Sequence, residues 1–137
     1  MNVLLIGGGF MGEALLAGIL NSEHSTDLDI MVAEIDEKRQ DFLRATYPIT
    51  VTSSAPNALE KTSPDVIILS VKPQQFSETV QPLSGLIDPN TLVISVAAGI
   101  PLTTVTEKTG QPLSARIMPN LPAAALEGAA AIYFAPQ

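Results

Sequence analysis

The sequence predicts an α/β domain built on a mainly parallel, doubly wound sheet. Three observations predict it. Short, wholly apolar runs alternate with helical stripes from the first residues onward, the order expected of βαβ units. The runs are apolar at every position, which suits strands buried on both faces. A cluster of glycines joins the first run directly to the first helical stripe.

Val3-Leu4-Leu5-Ile6 is the first strand, and it stops at Gly7-Gly8-Gly9. Met11, Ala14, Leu15, Gly18 and Ile19 then recur at helical spacing, and Asn21 to Asp27 is polar. Asp29 to Ala33 reads as a second strand ending at Glu34. Asp36 to Thr46 is a charged helix, with Phe42 and Leu43 for its buried face. Thr50-Val51-Thr52 is a short third strand, and Ser53-Ser54-Ala55-Pro56 opens a helix that ends before Pro64. Val66 to Val71 is the clearest strand and stops at Lys72-Pro73. A helix from Gln74 to about Leu83 and a turn at Asp88-Pro89-Asn90 follow. Thr91 to Val96 is a strand broken by Ala97-Ala98-Gly99. Pro101 starts a helix over Leu102 to Thr109, closed by Gly110. Ser114 to Met118 is a strand that ends at Pro119-Asn120, and Ala129 to Phe134 is a last strand. No repeat or linker interrupts the pattern, so residues 1–137 form one domain. Ala135-Pro136-Gln137 neither caps an element nor forms a polar tail, and is expected to be a domain boundary.

Composition narrows the function. Hydrophobic residues at 46% support a packed core. Seven basic against 14 acidic side chains give a net charge of −7, with no basic stripe for a nucleic acid. There is no Cys, which excludes disulfides and thiolate chemistry. His24 is the single His and reads as a polar loop residue rather than a ligand or base. No apolar run approaches the ~20 residues of a membrane span, and no basic residue precedes the first apolar run as in a signal peptide. The expectation is a cytoplasmic protein that handles a small molecule, with neither a nucleic-acid nor a membrane partner and no metal.

Gly7, Gly9 and Gly12 form G-x-G-x-x-G between strand and helix. Each glycine has a physical task in binding a dinucleotide. Gly7 permits the tight turn, Gly9 lets a pyrophosphate approach the backbone, and Gly12 lets the helix pack on the sheet. Free N–H groups and the helix dipole then hold the phosphates. The strand before and the helix after are the context that gives this short motif its meaning. Glu34 ends the second strand about 20 residues past Gly12, where a carboxylate can bond a ribose 2′-OH and favour NAD. Lys38 and Arg39 follow within a helical turn and can partly neutralise the 2′-phosphate of NADP, so the choice stays open. The alternative for Glu34 is a solvated residue that caps the next helix, and Glu13 reads as a surface acid favoured by the helix dipole. Lys72-Pro73, Ala97-Ala98-Gly99 and Pro119-Asn120 all follow strand ends, where ligands bind in open α/β sheets. Lys72 and Arg116 are candidates for anion contacts or simply surface charges. Asn120 offers groups suited to a carboxamide.

Together these segments resemble a known family. Gly7-Gly8-Gly9-Phe10-Met11-Gly12-Glu13-Ala14, Ser70-Val71-Lys72-Pro73-Gln74, Ser95-Val96-Ala97-Ala98-Gly99-Ile100 and Arg116-Ile117-Met118-Pro119-Asn120-Leu121-Pro122-Ala123 stand in the order and spacing of pyrroline-5-carboxylate reductase. Glu127-Gly128-Ala129 continues the match. The resemblance spans nearly the whole chain. It implies a Rossmann-like dinucleotide-binding domain, NADP or NAD as cofactor, and reduction of 1-pyrroline-5-carboxylate to L-proline. By the same resemblance, the segment Gly7, Gly9, Phe10, Met11 and Gly12 would hold the pyrophosphate and Asn57 would touch the adenosine ribose. Val71, Lys72, Pro73, Ala97, Ala98 and Gly99 would flank the nicotinamide, and Asn120 would sit near the reacting end.

The chain departs from the family in three ways. Leu121 stands where the family usually has Thr, and Glu34 where it more often has a small polar residue. The resemblance implies a further all-helical C-terminal domain, which forms the homo-oligomer and supplies loops that grip the substrate carboxylate, and the 137 residues are expected to stop before it. No acid–base residue is identified, so the catalytic residues stay unknown. The implied role is the cofactor half of the enzyme. The alternatives are a non-catalytic dinucleotide-binding module, or another oxidoreductase of the same fold such as a β-hydroxyacid dehydrogenase.

Overall fold

A computed structural model describes residues 1–119 and 130–134. The seven strands are β1 (Asn2–Ile6), β2 (Asp29–Ala33), β3 (Thr50–Thr52), β4 (Val66–Leu69), β5 (Leu92–Ser95), β6 (Ser114–Pro119) and β7 (Ala130–Phe134). They form one sheet in the order β3-β2-β1-β4-β5-β6-β7. The first six are parallel, and β7 pairs antiparallel with β6. The helices are α1 (Phe10–Leu20), α2 (Glu37–Thr46), α3 (Ala55–Thr62), α4 (Phe76–Val80) and α5 (Leu102–Thr109). The chain winds outward from β1 through β3, then returns to place β4 on the other side of β1. That reversal defines a Rossmann-like sheet.

The apolar runs are read in pairs. Val3 and Leu5 of β1 face a core completed by Leu16 of α1, Leu43 of α2, Ile30, Val32 and Ile68. Leu4 and Ile6 face the other core, with Ala58 and Leu59 of α3, Phe76 and Val80 of α4 and Val105 of α5. Neighbouring strand residues point to opposite faces, so a strand covered on both sides must be apolar throughout.

Local chemistry sets the helix ends. The Asp36 side chain accepts from the Arg39 N–H at 2.8 Å and caps α2, and Ser54 accepts from the Asn57 N–H at 3.3 Å and caps α3. Gly110 closes α5 with φ +70°. Ser63 closes α3 with φ +43°, a left-handed conformation that an L residue holds at a cost.

Three expectations shift. The segment from Gln74 to Leu83 is α-helical only over Phe76–Val80, with a 3₁₀ turn on either side, Pro73–Gln75 and Gln81–Leu83. Pro82 has no N–H to continue an α ladder. In α1 the deepest side chain is Leu16, fully buried, one position past the expected Leu15. In α2 only Leu43 enters the core. Phe42 is 44% exposed, with the Arg39 guanidinium 4.9 Å from its ring centre.

Candidate dinucleotide site

Register levels the sheet's carboxyl edge. Ile6 is opposite Ala33 and Leu69, and Leu69 is opposite Ser95. Gly7, Glu34, Ser70 and Val96 therefore leave the sheet at one height, on the strands flanking the reversal. A cleft of about 490 Å³ opens there, lined by Gly7, Gly9, Glu34, Arg39, Ser53, Ala55, Ser70, Val71, Lys72 and their neighbours. In open α/β sheets this is where ligands bind.

The glycine turn is built as its spacing predicts. Gly7 has φ +97°, and a Cβ there would collide with the Ser70 carbonyl. A Cβ on Gly12 would collide with the Gly7 carbonyl oxygen, so this glycine sets how closely α1 approaches the turn. Gly9 differs: it has an ordinary φ of −71°, and an added Cβ would meet no atom of the described residues within 4 Å. Its missing side chain relieves no clash within the protein and leaves room over the helix start. Among the described residues no side chain caps α1, whose first ladder bond runs from the Glu13 N–H to the Gly9 carbonyl at 2.8 Å. The amides of Phe10, Met11 and Gly12 precede that bond and lack intrahelical acceptors. The Ser70 hydroxyl is buried at the cleft, with no hydrogen-bond partner among the described residues. Open space at Gly9, uncapped amides and an orphaned hydroxyl all fit the phosphates and ribose of a dinucleotide.

The turn is also gripped from the side of β2 and α2. The Gly8 N–H donates to Glu34 Oε2 at 2.7 Å, and the Gly7 N–H donates to the Ala33 carbonyl at 2.9 Å. The Gly8 carbonyl accepts from Arg39 Nε. Arg39 also forms an ion pair with Glu13, whose other oxygen accepts from the Tyr47 hydroxyl at 2.8 Å. Burial, and then Glu13's hydrogen bond and charge, raise the Tyr47 pKa above 10.0, while Arg39 acts in the opposite sense. Glu13 is thus a tie between α1 and α2 rather than a surface acid, and Glu34 is bound to the glycine turn. Neither role is legible in the sequence. Nothing local signals them, because the partners lie 26 to 34 positions apart.

Other candidates fall at varying distance from the cleft. Val71, Lys72 and Pro73 leave the end of β4, with Lys72 exposed. Asn57 is exposed in the first turn of α3, just beyond Ser53 and Ala55 of the lining. Ala97, Ala98 and Gly99 follow β5 on the same edge but do not line the cleft. The Ala97 side chain packs into the core. Phe10 is 67% exposed at the start of α1. Arg116 is level with Ser95 in β6, and its Nε is buried without a partner among the described residues. Asn120, Leu121, Pro122, Ala123 and Glu127-Gly128-Ala129 lie outside the described residues. His24 is a surface residue beside Glu23. Among the described residues there is no metal-binding cluster, and no helix is long and apolar enough to cross a membrane.

Known proteins carry the same architecture and sequence pattern. The chain is 33% identical to a pyrroline-5-carboxylate reductase of Pseudomonas aeruginosa over 96% of its own length and 47% of the relative's. It is 36% identical to the corresponding enzyme of Methanosarcina acetivorans over 93% of its length and 47% of the relative's. A solved pyrroline-5-carboxylate reductase from Coxiella burnetii superposes with a TM-score of 0.85 at 26% identity, covering 96% of this chain and 48% of that one. The chain therefore spans about half the length of the relatives it matches, and the resemblance to their dinucleotide-binding part holds. NADP or NAD is the cofactor class of such oxidoreductases. Residues 2–99, from β1 through the loop after β5, match one family model, and the chain belongs to the family that model describes: NADP oxidoreductase, coenzyme F420-dependent.

Proposed function

We propose that this chain is the cofactor-binding half of a pyrroline-5-carboxylate reductase. The observation that carries the reading is the glycine turn at the sheet reversal. Its space over Gly9 and its uncapped amides face a cleft formed by the segments that also carry the family resemblance. The relatives' names support the substrate assignment.

When bound, a reduced nicotinamide would supply hydride to the C=N carbon of 1-pyrroline-5-carboxylate, and a proton on the nitrogen would complete L-proline. The chain's own contribution is binding and orientation. The amides of Phe10, Met11 and Gly12 hold the pyrophosphate. Glu34 and Asn57 lie toward the adenosine ribose. Val71, Lys72 and Pro73, with Ala97, Ala98 and Gly99, flank the nicotinamide, and Asn120 serves the reacting end. The described residues give the donor one wall. Donor and acceptor must be held ~3–3.5 Å apart, and a small anionic imine needs an opposing wall to be held so. In the full-length relatives a helical domain is the proposed source of that wall and of the homo-oligomer contact.

The test is NADH binding together with imine-dependent NADH and NADPH oxidation by the purified 137-residue chain. The expected result is binding with turnover far below the ~10 s⁻¹ of a typical enzyme. Fusion to the remaining half of the Pseudomonas aeruginosa relative should raise that turnover. Absence of dinucleotide binding overturns the reading, and full turnover by the chain alone overturns the division of labour.

A further inference from the structure

The adenosine end of the cleft has an unusual charge arrangement. Two carboxylates, Glu34 and Asp36, line it beside one guanidinium, Arg39. Both carboxylates are held in place. Glu34 accepts from the Gly8 N–H at 2.7 Å and from the Asp36 N–H at 3.3 Å, and Asp36 caps α2 through the Arg39 N–H at 2.8 Å. The Gln40 side chain further ties the Glu34 backbone, donating to its carbonyl at 2.8 Å. Arg39 is held as well, with its donors engaged by the protein. Its Nε donates to the Gly8 carbonyl and its terminal nitrogen pairs with Glu13, which Tyr47 fixes from the other side. The guanidinium also rests over Phe42. The cleft's other cation, Lys72, leaves β4 on the far side of β1 from Glu34.

We propose that this arrangement makes the chain selective for a dinucleotide with an unmodified adenosine ribose, NADH rather than NADPH. The proposal rests on the cleft being the dinucleotide site. A ribose 2′-hydroxyl finds a fixed carboxylate acceptor in Glu34, whose Oε1 holds only the longer bond. A 2′-phosphate at the same place meets two immobile carboxylates. The guanidinium that would neutralise it is already paired. Releasing Arg39 would break the ion pair to Glu13 and the clamp on the Gly8 peptide, so a phosphate could recruit it only by loosening the turn that holds the pyrophosphate. Glu34 is thereby a specificity-determining residue, and Arg39 is a positioning residue that acts through the Gly8 peptide.

The test uses ADP-ribose and its 2′-phosphate as probes, which separate recognition of the adenosine end from any catalysis. Calorimetric titration of the wild-type chain should show ADP-ribose binding at least about tenfold more tightly than its 2′-phosphate. Glu34→Gln keeps an oxygen for the Gly8 N–H and removes the charge. It should weaken ADP-ribose, which loses its carboxylate acceptor, by about three- to tenfold, while the 2′-phosphate, relieved of the like charge, gains, so that the two compounds come level. Because like charges repel less at high salt, the wild-type ratio should also narrow between low and high ionic strength, whether or not the variant folds. Equal wild-type affinities, or tighter binding of the 2′-phosphate, overturn the proposal. So does a ratio that survives in folded Glu34→Gln. Failure of both compounds to bind the wild-type chain overturns the assignment of the cleft itself, and the selectivity with it.

Discussion

Gly9 and Gly12 belong to one motif, yet the structure assigns them different tasks, and a pair of substitutions separates them. A Cβ on Gly9 meets nothing within 4 Å, and the residue's φ of −71° suits any L amino acid. Gly9→Val should therefore fold normally. Stiffening the unfolded chain contributes about 0.4–1 kcal/mol of stability. Loss of a favourable helix-capping residue offsets a similar amount. The net change should stay within about 1 kcal/mol. Binding should suffer instead, because the two methyl groups occupy the space through which a phosphate reaches the amides at ~2.9 Å. Loss of one charge-assisted hydrogen bond is worth about 1.5–3 kcal/mol, or roughly ten- to hundredfold in NADH affinity. Gly12→Ala sets a methyl against the Gly7 carbonyl oxygen and 3.2 Å from the Ser70 hydroxyl. Such overpacking typically costs about 1–3 kcal/mol, so stability and affinity should fall together. Thermal unfolding by circular dichroism and calorimetric NADH titration read both quantities. Unchanged affinity in Gly9→Val would refute the reasoning, as would a stability loss in Gly9→Val equal to that in Gly12→Ala.

Two further outcomes follow from the scaffold. Ser63→Gly removes the strain of a left-handed L residue at the end of α3 and should stabilise the chain by about 0.5–1 kcal/mol, read as a rise of about 2–4 °C in thermal midpoint; a lower midpoint would contradict it. Tyr47 should ionise above 10.0 in an ultraviolet titration, since its burial and its bond to Glu13 favour the neutral phenol. Its contribution to stability is then complete below pH 10 and is lost as pH rises through the folded-state pKa, so Tyr47→Phe should flatten that alkaline loss.

The parts of the fold legible in the sequence are those whose signal is local. β1 and β4 read as strands because two covered faces demand an unbroken apolar run, Val3–Ile6 and Val66–Leu69. The turn at Gly7 reads as a turn because a positive φ beside a close backbone neighbour admits little else. The glycine turn at the candidate site was legible in the same measure. Gly7, Gly9 and Gly12 lie where their spacing puts them, and Glu34 follows the last residue of β2 and lines the cleft. What Glu34 touches was not legible, because the Gly8 N–H that it accepts from is brought near only when β1 and β2 pair. Arg39 looked free in the sequence for the same reason: Glu13 and the Gly8 carbonyl reach it through the packing of α1 against α2. The short α4 was hidden differently. Its apolar positions fit a longer helix, and the proline at 82 turned the last part into a 3₁₀ segment.

The central claim is that a nicotinamide dinucleotide binds over the glycine turn at the sheet reversal. The most direct measurement is an NMR titration of the ¹⁵N-labelled chain with NADH, following each amide. The account predicts the largest shift changes at the amides of Gly9, Phe10, Met11 and Gly12, with smaller ones at Glu34, Val71 and Lys72. Shifts concentrated instead on the groove formed by Leu28, Tyr47 and Ile49 at the opposite edge of the sheet, or no saturable shifts, would contradict it.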